Sequence, residues 1–176
     1  MRVPAFFTVA ALAMIPGLAH AAEPVCLTPG EFSSLAAYAL PSAISGTTKR
    51  CTATLAPSAF LRKNGTDLVT RYSAQKQANW PGAKSAFLKL GSSDSKDAGN
   101  LLTKLPDTSL MQMFDLALEG MVEQNVPTEK CETIDTVIRL LAPLPPANTA
   151  ELIALTVGLA SKTGKAKVGK FTLCEN

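Results

Sequence analysis

Apolar residues recur at spacings of three and four along most of the chain, the period of amphipathic helices rather than strands. The strongest such run is Leu110 to Val122, in which Gln112, Asp115, Glu119 and Glu123 fall on one narrow polar stripe. Leu110, Met113, Phe114, Leu116, Ala117, Leu118 and Met121 cover the remaining surface. A helix so widely apolar must be packed on several sides, so the pattern predicts a central buried helix near 108–123.

The neighbouring stretches read as its shell. Thr28-Pro29-Gly30-Glu31 is a capping box with proline at the first helical position, which predicts a helix to about Ala39 that stops before Pro41. Pro57 to Lys63 forms a short helix ended by Asn64-Gly65, and Thr66-Asp67 opens another that runs to Ala78 or Asn79, where Trp80-Pro81-Gly82 breaks it. Pro81 starts a further helix that stops at Gly91, and the polar run at 92–99 is the candidate joint between halves. After Pro127 a helix extends to about Leu141, with Asp135 placed to pair with Arg139, and Asn148 with Glu151 opens a very apolar helix through Leu159. Val168 to Leu173 reads as a short extended C-terminal segment. The expected fold is all-α, a compact bundle of roughly six to eight short helices.

The N-terminus changes the picture of where this bundle lives. Arg2 precedes the apolar run Ala5 to Ile15, then Pro16-Gly17 and the A-x-A site Ala19-His20-Ala21, the layout of a signal peptide over residues 1–21. The apolar run is shorter than the roughly 20 residues that span a bilayer. Cleavage near Ala21 leaves 155 of the 176 residues as a single helical domain, 22–176, expected to be periplasmic or secreted. The formal net charge of +3 falls to +2 without Arg2, a balance that points to no nucleic acid partner. His20 is the only histidine, so the mature chain has none and lacks serine-histidine, cysteine-histidine and histidine-zinc chemistry.

Cys26, Cys51, Cys131 and Cys174 make an even set in an exported chain, and such a set reads as disulfides. Short loops favour Cys26 with Cys51 and Cys131 with Cys174, one bridge within each half. A zinc site would need close cysteine pairs or histidines, so no metal and no cofactor is expected.

Other motifs are fragments. Ser73-Ala74-Gln75-Lys76 and Lys162-Thr163-Gly164 match two elements of the serine β-lactamase signature, but the third is missing and the chain is too short for that fold. Gly158 to Lys165 has the wrong spacing for a phosphate loop. Met111 and Met113 point about 200° apart on a helix, so they cannot close on one copper ion. Two clusters are left. Asp115 and Glu119 form the best carboxylate pair for a small hydrolase-like enzyme. Lys162, Lys165, Lys167 and Lys170 form a basic tail suited to an anionic envelope surface. The leading expectation is a non-catalytic binding or assembly role with an unidentified protein partner.

Overall fold

The computed structural model describes residues 25–162 and 171–174. Residues 1–24, which hold the expected signal peptide and cleavage site, and the lysine-rich run 163–170 lie outside the described residues.

Helix formation begins where the capping box predicts. The Glu31 backbone N–H donates to the Thr28 hydroxyl (3.2 Å), and the Thr28 N–H donates to the Glu31 carboxylate (2.9 Å). The helix thus opened, α1 (Pro29–Cys51), runs straight through Pro41. Proline forfeits one intrahelical hydrogen bond. Its ring is fully buried here, and that burial offsets the loss. The chain continues through α2 (Phe60–Ser73), α3 (Lys76–Asp94), α4 (Lys96–Leu102), α5 (Asp107–Asn125), a 3-10 turn (Thr128–Lys130), α6 (Cys131–Leu141) and α7 (Pro146–Lys162). Within 92–99 only Ser95 is non-helical. Of the predicted extended segment Val168 to Leu173, the described part is β2 (Phe171–Leu173), which pairs in parallel with β1 (Val25–Leu27).

The axis of the fold is α1, not the helix at 108–123. Helices α2, α3, α5 and α7 all pack against α1, and three apolar clusters are strung along it. The clusters centre on Phe32 with Leu27, on Tyr38 with Trp80 and Leu110, and on Ile44 with Leu68 and Tyr72. By contrast, Leu110 is the only buried residue of α5, and Leu116 is 73% exposed. The sequence pattern measured how apolar α5 is but not which side turns inward.

Glycines explain how α1 accommodates so many neighbours. Gly65 does not end a helix as expected; it lies inside α2, where a Cβ would stand 2.9 Å from the Thr48 hydroxyl on α1. A Cβ on Gly46 of α1 would stand 2.5 Å from the Glu119 carbonyl oxygen of α5. Both residues mark helix crossings where the backbones approach too closely for a side chain. Trp80-Pro81-Gly82 likewise lies within α3 instead of breaking it, with Gly82 against Ser34 of α1.

The disulfides join the halves instead of closing loops within them. They are Cys26–Cys174, with Cα atoms 5.0 Å apart, and Cys51–Cys131, 5.5 Å apart. The reason is the unbroken α1, whose 23 residues separate Cys26 from Cys51 by about 33 Å of helix. A bridge needs Cα atoms within about 7 Å. The first disulfide therefore locks the β1–β2 pair, and the second fastens the end of α1 to the start of α6. Asp135, expected to pair with Arg139, accepts from the backbone N–H groups of Leu61 (2.7 Å) and Phe60 (3.3 Å), and so caps α2 from α6.

Candidate functional site

The acidic pair of α5 faces the protein, not the solvent. The Asp115 carboxylate accepts from the Ser42 hydroxyl of α1 (3.1 Å) and pairs with Lys76 of α3 (2.6 Å). The Lys76 ammonium also lies 4.7 Å from the centre of the Tyr38 ring, a cation-π contact. Tyr38 is fully buried and its hydroxyl makes no hydrogen bond, so burial first, and the Asp115 charge second, push its ionisation upward. One turn on, Glu119 pairs with Lys49 of α1. Asp115 and Glu119 are thus held by separate cations, and their evident work is to fasten α5 to α1.

The start of α5 is fastened in the same way. The Asp107 carboxylate accepts from Lys84 (2.5 Å) and from the Trp80 ring N–H (2.9 Å), both on α3. These two bonds, with Lys84 the stronger influence, hold the Asp107 carboxyl below the usual carboxylate range. Phe114 completes the contact with its ring edge-on to Tyr38 and Phe87, the centroids 5.4 and 5.0 Å away.

While Asp115 and Glu119 turn inward beside Leu110 and Phe114, α5 leaves other apolar residues in water. Met113, Leu116 and Met121 are exposed. Helix α7 does the same more regularly. Its buried side carries Thr149 and Ala150, and opposite them Leu152, Leu155 and Leu159 fall within about 60° of one another around the helix. Leu155 and Leu159 are each 59% exposed. Val137 and Leu140 of α6 are exposed as well.

Of the basic residues singled out in the sequence, Lys162 ends α7, while Lys165, Lys167 and Lys170 lie outside the described residues. Among the described residues no group of histidine, cysteine, aspartate and glutamate is placed to hold a metal ion, and no helix is long and apolar enough to cross a membrane. Sequence reasoning missed the outward leucines, although a signal for them was available. Helix α7 has no sustained polar stripe, so packing one side of it on α1 must leave apolar residues on the other. Compared with protein-family models, with curated proteins and with solved structures, the chain matches none.

Proposed function

We propose that this is an exported binding or assembly protein with no catalytic role, which works by docking its outward apolar faces against a helical partner. The observation that carries the reading is the stripe Leu152, Leu155 and Leu159 on α7. Burying a leucine fully returns about 1.5–3 kcal/mol, so three of them in water are a standing drive to associate. Their spacing of three and then four is that of a coiled-coil seam, which makes another helix the fitting occupant. A second copy supplies such a helix through a two-fold axis and is the first partner to test. Export is supported by the pattern from Arg2 to Ala21, and the two disulfides are compatible with it. The reading of Asp115 and Glu119 as an acid-base pair draws no support from their geometry, since each is paired with its own lysine.

Sedimentation equilibrium of the mature protein tests this reading. The wild type should show a concentration-dependent mass above that of the monomer, and Leu155→Lys should return it to the monomer with unchanged helix content. A wild type that stays monomeric at every concentration would remove the second copy as the partner. A second reading has one observation in its favour, that the leucine stripe of α7 leads directly to Lys162 and the lysine-rich run. Leucine and lysine together suit an anionic envelope surface. Salt-sensitive co-flotation with anionic vesicles, lost when Lys162, Lys165, Lys167 and Lys170 become glutamine, would favour it.

A further inference from the structure

A cleft of about 170 Å³ opens where α2, α6 and α7 meet α1. Seven of its ten lining side chains are aliphatic, Ile44, Leu68, Ile138 and Ile153 among them, and none is charged. The other three are Thr47, Tyr72 and Thr149. Two of their hydroxyls are already committed to each other, since Tyr72 Oη and Thr149 Oγ1 lie 3.0 Å apart in a buried hydrogen bond. A polar group entering the cleft would give up its bonds to water and regain few of them. The occupant must therefore be apolar.

Size and shape narrow the choice. A closed apolar cavity of about 150 Å³ holds a benzene-sized molecule, so this volume suits one small ring or a short run of methylenes. The single aromatic wall is Tyr72, and the Arg71 guanidinium lies over its ring, 5.6 Å from the centroid, while donating to the Ala142 carbonyl. One face of Tyr72 is thus taken, and the other walls are aliphatic and threonine side chains that offer no stacking surface. The cleft also opens to solvent, so a longer molecule can leave its remainder outside.

We propose that this cleft binds the saturated alkyl end of an acyl chain, with the polar head left in water. The inference rests on the cleft alone and stands whether or not the outward leucines of α5 and α7 dock a partner. An acyl chain can arrive as a free fatty acid or as part of a membrane lipid, and the two sources need separate measurements.

The experiment is methyl NMR of the mature protein titrated with decanoate below its micelle concentration, with indole as the aromatic control. Decanoate should shift the methyl signals of Ile44, Ile138 and Ile153 in a saturable way and raise the thermal midpoint, while indole shifts them weakly. Ala43→Leu fills the cleft and should weaken decanoate binding by about tenfold or more. Ile153→Phe gives a second filled variant, with helix content checked for both by circular dichroism. Flotation with phosphatidylglycerol vesicles separates the sources. Co-flotation lost in the filled variants assigns a lipid acyl chain, and decanoate binding without co-flotation assigns a free one; both support the proposal. It is overturned if decanoate leaves the three isoleucines unmoved, if indole binds as well as decanoate, or if a folded, filled variant binds decanoate as the wild type does.

Discussion

Asp115 and Leu116 are adjacent in sequence, and the structure assigns them opposite consequences. Asp115 faces α1 and α3, where Ser42 and Lys76 meet its carboxylate, and Leu116 points into water. Removing one member of a fully buried ion pair costs roughly 3–5 kcal/mol, because the other charge is left without a partner. The Lys76 side chain is 16% exposed and that of Asp115 is 33% exposed, so solvent screening brings the expected cost of Asp115→Ala to about 1–3 kcal/mol. Leu116→Lys should change stability by less than about 0.5 kcal/mol, as substitutions at exposed positions away from special features do. Urea denaturation of residues 22–176 with both disulfides intact measures both, provided the slope with denaturant is unchanged between variants. An amphipathic helix with a solvated acidic stripe would give the reverse order. If Leu116→Lys costs more than about 2 kcal/mol and Asp115→Ala costs nothing, α5 is oriented wrongly here and the outward apolar face disappears with it.

Other consequences follow from the contacts of α1. Gly46→Ala should destabilise by about 1–3 kcal/mol although alanine is the better helix former, because a backbone carbonyl of α5 occupies the place of the new methyl; a stabilised variant in thermal denaturation would contradict this. Glu31 accepts from Lys89 (2.7 Å), Ser85 (2.6 Å) and the Thr28 backbone, and these bonds hold its carboxyl at about 2. A lowered folded-state value means stability that is fully present above about pH 4.5 and lost as pH falls towards 2, by about 1–3 kcal/mol. Glu31→Gln should flatten that part of the pH-stability curve. Non-reducing peptide mapping should recover Cys26 with Cys174 and Cys51 with Cys131, and peptides joining Cys26 to Cys51 would mean that α1 is not continuous.

The helical class, the capping box at Thr28, the extended C-terminal segment and the complete pairing of the cysteines were legible in the sequence because each rests on local chemistry or simple composition. The arrangement was not, and the misreadings share a cause. Pro41, Gly65 and Pro81-Gly82 carry the chemistry of helix stops, and locally they are stops. Here tertiary packing overrides them, since Pro41 is buried in the core while Gly65 and Gly82 are the points where neighbouring helices cross α1. Reading Pro41 as a stop shortened α1, and a short α1 made the Cys26–Cys51 pairing look natural. The polar stripe of α5 carries no local sign that it turns inward, because the cations that meet it, Lys49 and Lys76, lie far away in sequence. Helical periodicity separates two faces but does not say which one meets the core when the partner face is itself charged. The cleft between α1, α2, α6 and α7 had no sequence signature, being a product of how four helices meet.

Assembly through α7 requires its leucines to be open in the monomer and covered in the assembly. Hydroxyl-radical footprinting read by mass spectrometry, run over a series of protein concentrations, measures both at once. The prediction is that Leu152, Leu155 and Leu159 react readily at the lowest concentration and become protected as it rises, while the buried Leu61 and Leu68 stay protected throughout. Leucines of α7 already protected at the lowest concentration would mean that they belong to the core, and leucines equally reactive at every concentration would mean that no second copy covers them.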